Sequence, residues 1–135
     1  MILLIDTNVF IDIFLKREPF FDASYRALRR AIEQGADCRV SASAATDLFY
    51  ILRKNLQSKE KAKQYLFSVK QLAHFADVQE NDINAALSGD MPDFEDAVVA
   101  SVASRIGATY ILTRNVKDFA GSKVPAISPA NWLEK

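Results

Sequence analysis

Residues 1–8 read MILLIDTN, an apolar run that stops abruptly at an acid. A short strand made only of apolar residues is typical of a parallel sheet that is covered by helices on both faces. We therefore predict a buried strand over residues 1–5. Asp6 follows that strand directly, and residues 7–15 have the pattern of a helix.

The rest of the chain alternates short apolar segments with helical ones. Further strands are predicted over residues 38–41, 75–78 and 109–112, with a fifth candidate over residues 123–127. Helices are predicted from just after Pro19 to Gly35 and over residues 43–55, 58–73, 81–87 and 93–106, with a last turn over residues 128–133. This alternation predicts an α/β fold, a three-layer α/β/α sandwich around a mainly parallel sheet of four to five strands. We expect a single domain over residues 1–135, with its site beyond the carboxyl ends of the strands.

The composition excludes several classes of site. The chain has 135 residues but only four glycines, one cysteine and one histidine. So few glycines exclude a glycine-rich phosphate loop, and the single Cys38 excludes an internal disulfide and a cysteine-built zinc site. With His74 alone, a histidine metal cluster is excluded and a Ser-His-Asp triad is disfavoured. The unpaired thiol and the lack of a signal peptide or membrane span predict a cytoplasmic protein.

The formal net charge is zero, but the charge is unevenly distributed. Residues 1–70 carry 12 Lys and Arg against 8 Asp and Glu, whereas residues 71–135 carry 5 against 9. An acidic half beside a basic half is compatible with a metal site that faces a polyanion.

Two acids stand out in the first half of the chain. Asp6 could simply cap the following helix, but its place directly after a buried strand favours a functional role. Asp47 lies in a mainly apolar segment over residues 42–52, so we expect a buried carboxylate that needs a partner. The alternative, that Asp47 only complements the positive end of its helix, is equally open.

Residues 93–96 read DFED and bring three acids to the start of an apolar helix. Asp93 follows Pro92 and is predicted to cap this helix, which places Asp96 at the capping-box position. Asp96 also shares a helix face with Ala100 and Ala103, whose small side chains permit close approach. We therefore expect the Asp96 carboxylate to point inward.

Residues 113–119 read TRNVKDF and follow the fourth predicted strand. They bring a hydroxyl, an amide and a carboxylate to the same edge of the sheet, although an ordinary polar loop with an Asx turn is the alternative. If all four acidic segments converge, their mutual repulsion demands a cation. Oxygen ligands without histidine or cysteine select Mg²⁺ or Mn²⁺, and such an ion can activate water for displacement at phosphorus. The pattern therefore indicates phosphodiester hydrolysis.

Together these segments resemble the PIN-domain family of metal-dependent ribonucleases, which includes the toxins of VapBC-type toxin–antitoxin pairs. The resemblance extends over essentially the whole chain and is carried by residues 4–10, Asp47, residues 93–97 and residues 110–119. It implies the α/β/α sandwich, a Mg²⁺ or Mn²⁺ cofactor and endonucleolytic cleavage of single-stranded RNA. It also implies a cognate antitoxin protein and a homodimer, for which the candidate contacts are Phe20, Phe21, Phe49 and Tyr65.

The resemblance also assigns roles to individual residues. Catalytic roles fall to Asp6, Asp47, Asp96 and Asp118, and the metal ligands are Asp6, Asp47, Asp96 and Asn115. Supporting positions are Thr7, Asn8, Asp93 and Thr113. The sequence departs from the family at two of these positions: the family commonly has glutamate where Asp47 stands, and often aspartate where Asn115 stands. Asn115 can still coordinate through its carbonyl, and Asp118 can supply the missing charge.

Basic residues supply candidate RNA contacts, which we place at Arg53, Lys59, Lys63 and Arg114. Lys59, Lys63 and Lys70 fall on one face of a predicted helix, where they could contact phosphates. A solvated helix face is an equally good interpretation.

Two other functions are compatible with parts of the pattern. A phosphatase of the haloacid-dehalogenase type would use Asp6 as a covalent nucleophile, but it needs an acid at position 8, where this chain has Asn8. A non-catalytic PIN-like module that binds RNA or a protein is the second alternative.

Overall fold

The computed structural model describes residues 1–135 and contains five strands that alternate with seven α-helices. The strands are β1 (Ile2–Ile5), β2 (Asp37–Ser41), β3 (His74–Ala76), β4 (Tyr110–Leu112) and β5 (Ala126–Ile127). The helices are α1 (Thr7–Phe14), α2 (Phe21–Glu33), α3 (Ala44–Leu56), α4 (Lys59–Leu72), α5 (Glu80–Ser88), α6 (Phe94–Arg105) and α7 (Pro129–Leu133). A short 3₁₀ helix spans Val116–Phe119.

The five strands form one sheet in the order β3-β2-β1-β4-β5, and every neighbouring pair is parallel. The chain builds one half of the sheet outward from β1 through β2 to β3, and then returns to the other side of β1 to form β4. The strand order therefore reverses between β1 and β4. In open parallel sheets the crevice beyond the carboxyl ends of the strands at such a point is where ligands bind.

Helices cover both faces of this sheet, as the apolar sequence of β1 requires. Leu3 and Ile5 pack on one face with α1, α2, α3 and α4, whereas Leu4 packs on the opposite face with Ala100 and Ala103 of α6. All three strand residues are at most 1% exposed. Burying each such side chain contributes about 1.5–3 kcal/mol, so β1 stabilises two separate cores.

Two helices end at glycines because their last carbonyls are capped by a left-handed residue. Gly35 after α2 and Gly107 after α6 have φ of 80° and 74°. Beyond each glycine a backbone N–H returns to the helix, from Ala36 to Ala31 and from Ala108 to Ala103. This is the Schellman arrangement, and glycine adopts its positive φ without steric cost.

The predicted α/β/α sandwich is confirmed, and the sheet is entirely parallel with five strands. The strand predictions were less accurate at the edges: β3 is shifted toward the amino terminus, and β5 has only two residues. No secondary structure is predicted for residues 113–119, but the segment contains the 3₁₀ helix, which the packing of buried Phe119 stabilises. None of the helices combines the length and apolar character needed to cross a membrane.

Candidate active site

Asp6 and Thr113 meet where β1 and β4 end. The backbone N–H of Asp6 donates to the carbonyl of Leu112 at 2.9 Å, which extends the pairing of the two strands by one residue. The hydroxyl of Thr113 then donates to Oδ2 of Asp6 at 2.8 Å, and the backbone N–H of Thr7 donates to Oδ1 at 2.8 Å. Asp6 is thus both the cap of α1 and a carboxylate with a fixed orientation.

Asn8 and Asn115 complete a polar network around the fully buried Thr113. Thr113 Oγ1 accepts from the Asn8 side-chain amide at 3.1 Å and from the Asn115 backbone N–H at 3.0 Å. The side-chain oxygen Oδ1 of Asn8 accepts a hydrogen bond from the backbone N–H of Arg114 at 3.2 Å. The predicted supporting positions Asn8 and Thr113 therefore fix the position of the turn after β4 relative to Asp6.

The start of α6 supplies two acids with different environments. Asp93 caps the helix as predicted, because its Oδ1 accepts from the Asp96 backbone N–H at 2.9 Å. The Asp96 carboxylate makes no hydrogen bond in the structure and is only partly exposed. It lines a pocket instead, in agreement with the expectation that it points inward.

This pocket, of about 310 Å³, lies between the amino ends of α1, α3 and α6. Four carboxylates line it, from Asp6, Asp47, Glu95 and Asp96, and no Lys or Arg side chain does. Apolar side chains of α5 and α6 form much of the remaining wall. The pocket is therefore strongly acidic and partly apolar.

The electrostatics of the site raise the pKa of two acids. Burial raises the pKa of Asp6, against the hydrogen bonds from Thr113 and Thr7, and the charge of Asp118 adds to the rise. Burial also raises the pKa of Asp96 to about 7, with further contributions from Asp93, Asp6, Asp118 and Glu95. Acids held together in this way repel one another in the absence of a cation.

The environment predicted for Asp47 is wrong. The apolar segment over residues 42–52 suggested a buried helix, but α3 buries only Leu48 and Leu52, and Asp47 is exposed. Its carboxylate lies in the first turn of α3 and still lines the acidic pocket. Asp47 thus reaches the site from the solvent side and needs no partner to compensate for burial.

Asn115 and Asp118 lie beside the pocket and do not line it. Both are exposed, on the turn and the 3₁₀ helix after β4, and neither side chain makes a hydrogen bond. Asp118 is nevertheless close enough for its charge to raise the pKa of both Asp6 and Asp96. The fourth acidic segment therefore borders the same region as the other three.

Arg114 lies in an environment that the sequence did not indicate. It was assigned to RNA, but its Nε donates to Oδ2 of Asp12 at 2.6 Å and its guanidinium lies 4.0 Å from the centre of the Phe20 ring. Asp12 is fully buried in α1 and also accepts a hydrogen bond from Ser24 at 3.0 Å. The Arg114 side chain keeps 23% exposure, so its outer nitrogens still reach solvent.

The other RNA-contact candidates lie on the helical hairpin of α3 and α4. Arg53, Lys59 and Lys63 are exposed and make no ion pair, so their charges are available to a ligand. Arg53 lies six residues beyond Asp47 on α3, about 9 Å along the helix axis. All three basic residues lie outside the acidic pocket. Lys59 and Lys63, in the first turns of α4, are near the carboxyl end of α3, whereas the pocket is at its amino end.

Sequence reasoning missed three residues of this region. Glu95 was seen only as part of the acidic run, yet it lines the pocket, as does Ser43, whose hydroxyl lies 2.6 Å from that of Ser41. Asp12 was overlooked entirely. Its signal was an acid inside the apolar helix of residues 7–14, where an unpaired charge is costly.

The donor set fits a hard divalent cation. The acidic pocket offers carboxylate oxygens, although no three acidic, histidine or cysteine side chains are grouped closely enough to hold an ion by themselves. Mg²⁺ normally keeps several waters and binds through one or two protein carboxylates together with substrate phosphates. Asp6 and Asp96 line the same pocket, which is compatible with that mode of binding.

Comparison with models of known protein families identifies one that matches most of the chain. A family model described as PIN domain matches residues 3–117. No curated protein matches the chain in sequence.

Several solved structures share the fold at low sequence identity. VapBC2 from Rickettsia felis, bound to a DNA fragment from its promoter, matches with a TM-score of 0.73 and 20% identity over 95% of this chain and 98% of that one. A toxin–antitoxin complex from Klebsiella pneumoniae matches with a TM-score of 0.72 and 20% identity over 94% and 97% of the two chains. VapC20 of Mycobacterium tuberculosis, a toxin that cleaves the sarcin-ricin loop, matches with a TM-score of 0.61 and 13% identity over 81% and 86%. At these identities the similarity concerns the fold.

Proposed function

The chain belongs to the PIN domain family, and on that premise we propose that it is a Mg²⁺- or Mn²⁺-dependent endoribonuclease that cleaves single-stranded RNA. The observation that carries the proposal is the pocket of about 310 Å³ lined by four carboxylates and no basic side chain. A pocket of that composition is costly in the absence of a ligand, because its like charges repel one another. A divalent cation relieves this repulsion.

Asp6 and Asp96 are the residues that would hold the cation. The hydrogen bonds from Thr113 and Thr7 fix the orientation of the Asp6 carboxylate, whereas the Asp96 carboxylate is unbonded and free to coordinate. When bound, such an ion supplies an activated water and stabilises the charge that develops at phosphorus. Thr113 contributes indirectly, since it holds Asp6 and the turn of Asn115 in one arrangement.

Other residues of the chain would carry the remaining tasks. Asp47 and Glu95 approach the pocket from α3 and α6, and either carboxylate can accept a proton from an attacking water. Asn115 offers a neutral carbonyl oxygen beside the pocket, and Asp118 offers a charge. The shorter Asp47 and the neutral Asn115, compared with the family pattern, lead us to expect weaker metal binding than a glutamate and an aspartate would give.

The distribution of positive charge supports a polyanionic substrate. RNA must approach an acidic pocket, so it needs compensating positive surface, which Arg53, Lys59 and Lys63 provide along the α3–α4 hairpin. Arg114 can add a contact through its solvent-exposed nitrogens while Asp12 holds its Nε. A single strand can follow such a path from the hairpin into the pocket, because its backbone bends easily.

We further propose that the protein is a toxin with a cognate antitoxin, and that it forms a homodimer. Two of the proteins that share its fold were solved as toxin–antitoxin assemblies. The neighbouring gene is then expected to encode a small DNA-binding protein, and sequencing of the locus tests this. Of the candidate dimer contacts, Phe20 is exposed and Phe21, Phe49 and Tyr65 are partly buried, so all four retain surface for a second copy.

A non-catalytic module remains the second candidate because Asp47 and Asn115 depart from the family pattern. The phosphatase alternative is disfavoured, since the Asn8 side chain is bonded to Thr113 and to the Arg114 backbone. The acid that a phosphatase needs at position 8 could not, when ionised, donate the hydrogen bond that the Asn8 amide gives to Thr113 Oγ1.

The test combines RNA cleavage with direct metal binding. Purified protein is incubated with labelled single-stranded RNA, duplex RNA and single-stranded DNA in Mn²⁺, in Mg²⁺ or in excess EDTA. Calorimetry measures Mn²⁺ binding to the native protein, Asp6→Asn, Asp96→Asn and the control Asp90→Asn, whose exposed acid makes no hydrogen bond and lies outside the pocket. We expect cleavage of single-stranded RNA only with metal, and loss of both cleavage and Mn²⁺ binding in the first two variants alone.

Each alternative result has a definite meaning. Undiminished cleavage in EDTA would exclude the metal mechanism. Mn²⁺ binding without cleavage of any RNA would favour the non-catalytic module. Cleavage that persists in Asp6→Asn and Asp96→Asn would show that the site has been assigned to the wrong residues.

A further inference from the structure

Two exposed aromatic rings border the acidic pocket on two of its walls. Phe94, the first residue of α6, lines the pocket and is 44% exposed. Tyr50 lies on α3, three residues after the pocket-lining Asp47, and is 64% exposed. Residues three apart are neighbours on a helix surface, so Tyr50 is about 4.5 Å along the helix axis from Asp47. Helical side chains lean toward the amino terminus, which brings the Tyr50 ring toward the pocket.

The fold makes no use of either ring. Phe49 and Ile51, the sequence neighbours of Tyr50, pack against the main core. Tyr50 and Phe94 belong to none of the three apolar cores, and neither ring pairs with another aromatic ring or with a cation. The flat faces of both rings are therefore available to a ligand.

Lys54 continues the line of side chains on α3 beyond Tyr50. It follows Tyr50 by four residues, about 6 Å along the axis, and is therefore its neighbour on the same face. It is exposed and forms no ion pair. Counted outward from the pocket, this face of α3 presents the Asp47 carboxylate, an aromatic ring and an ammonium group. A nucleic acid strand alternates phosphates with bases, and it matches this order when one of its phosphates lies at a cation in the pocket.

We propose that Phe94 and Tyr50 stack the two bases that flank the scissile phosphate, and that Lys54 binds a phosphate on the Tyr50 side. This inference rests on the proposed function, because it takes the acidic pocket as the place of the scissile phosphate. Every base has a flat face, so stacking holds a strand without selecting its sequence. A base inside a duplex is already covered on both faces, so only an unpaired strand makes these contacts. The two rings thus give the site a physical reason to prefer single strands.

The direct test compares two ligands of equal charge. Fluorescence anisotropy in EDTA at low salt measures the affinity for a labelled octamer of adenylate RNA and for an octamer of abasic ribose phosphates, which has no bases. We expect the native protein to bind the adenylate octamer at least thirtyfold more tightly than the abasic one. Tyr50→Leu and Phe94→Leu should each lower this ratio of affinities about fivefold, because each removes the partner of one stacked base.

Matched variants separate stacking from other effects. Tyr50→Phe and Phe94→Tyr keep an aromatic ring and should keep the ratio of affinities within twofold of the native value. Tyr25→Leu changes another exposed tyrosine, on α2 and outside the acidic pocket, and should leave the ratio unchanged. Lys54→Gln should weaken binding of both octamers alike and reduce the slope of log K against log salt by about 0.7, the share of one phosphate of a single strand.

Mn²⁺ calorimetry and cleavage in Mn²⁺ distinguish this inference from the proposed function. Tyr50→Leu and Phe94→Leu should bind Mn²⁺ with native affinity, because neither ring supplies a ligand, and their kcat/KM for single-stranded RNA should fall about fivefold. Binding that depends on both rings, without any cleavage, would contradict the nuclease and leave the strand-binding surface standing. Native kcat/KM in both leucine variants would contradict the inference and leave the nuclease standing.

The ratio of affinities decides each remaining case. An unchanged ratio in one leucine variant removes that ring from the proposed surface. If light scattering shows that the leucine variants lose a dimer while the ratio stays native, the rings form an interface between copies and the proposal is wrong. It is also wrong if the native protein binds the two octamers equally, or if Tyr25→Leu lowers the ratio as much as Tyr50→Leu does. Equal losses in Tyr50→Phe and Tyr50→Leu would likewise exclude stacking.

Discussion

Arg114 and Asp12 form an ion pair between the turn after β4 and the centre of α1, with Nε and Oδ2 2.6 Å apart. Asp12 is fully buried, whereas Arg114 keeps 23% of its side-chain exposure. The backbone N–H of Arg114 is bonded to Asn8, so the pair also stabilises the turn that carries Asn115. Asp12 is therefore a structural neighbour of the candidate site, and it holds Arg114 at the turn after β4.

Breaking this pair is expected to have unequal effects on stability. Arg114→Met leaves a carboxylate buried with Ser24 as its one remaining donor, and should lower the free energy of unfolding by about 3–5 kcal/mol. Asp12→Asn should cost less, about 2 kcal/mol, because Arg114 can turn toward solvent. The double variant Asp12→Leu/Arg114→Met should recover most of the loss. Urea unfolding measures all three.

The exposed pair of Asp22 and Arg26 on α2 is the control for this cycle, since its atoms are 3.6 Å apart and both side chains are more than half exposed. Its single and double variants should change stability by less than about 0.5 kcal/mol. Equal costs for Arg114→Met and Asp12→Asn would contradict the argument from burial.

Asp93 is expected to act only as the cap of α6, whereas Asp96 is expected to be needed for cleavage. Asp96→Asn should abolish cleavage and leave the stability of the metal-free protein unchanged or slightly higher, because repulsion among clustered carboxylates is relieved. Asp93→Asn should alter neither property, since asparagine caps a helix as well as aspartate does, whereas Asp93→Ala should cost about 1 kcal/mol. Melting without metal and cleavage in saturating Mn²⁺ measure the two properties. Normal cleavage by a destabilised Asp96→Asn would reduce Asp96 to a structural residue.

Much of the fold followed from local sequence, because its determinants are local. The apolar run that contains Leu3, Leu4 and Ile5 is too short for a buried helix, so it predicts a strand. The side chains of such a strand alternate between two faces, and both faces must be covered. The capping role of Asp93 follows from Pro92 and from the helix that begins after it. Gly35 and Gly107 likewise end helices for a reason that is visible in the sequence.

The unpredicted features depend on contacts between distant parts of the chain. Asp12 and Arg114 are 102 residues apart in sequence, so no pattern near either one reveals the pair. The burial of α3 was overestimated because an apolar composition does not say whether a helix is covered, and here α3 packs mainly on α4 and leaves Asp47 exposed. The convergence of Asp6 and Asp96 required the order of the strands, which the sequence alone did not provide.

The stability of the metal-free protein is expected to fall as the pH rises from about 4 to above 7. The pKa of Asp96 is raised to about 7 by burial and by its acidic neighbours, so the folded state binds more protons than the unfolded state across that interval. The loss should be on the order of 1–2 kcal/mol once solvent screening is included. Mn²⁺ should restore stability most strongly at pH 8, where the carboxylates are ionised.

Melting temperatures at pH 5, 6, 7 and 8, with EDTA or Mn²⁺, measure this dependence. Asp96→Asn should flatten the metal-free profile, whereas the control Asp90→Asn should not. A native profile that rises between pH 5 and pH 8 in EDTA would contradict the assigned electrostatics of the pocket.

Lys59 and Lys63 are expected to contact RNA phosphates, although a solvated helix face would look the same in sequence. Lys59 is the first residue of α4, where a cation opposes the helix dipole, so its position is not one that stability favours. If each lysine neutralises one phosphate of a single strand, Lys59→Ala/Lys63→Ala should reduce the slope of log K against log salt by about 1.4. Binding of labelled RNA in EDTA, where the strand stays intact, gives the slopes.

The double variant Lys16→Ala/Lys123→Ala is the control. It removes the same charge from exposed sites elsewhere and should leave the slope within error of the native value. Equal reductions of the slope in the two double variants would indicate a general charge effect. An unchanged slope in Lys59→Ala/Lys63→Ala would show that these lysines lie on a solvated helix face and do not contact RNA.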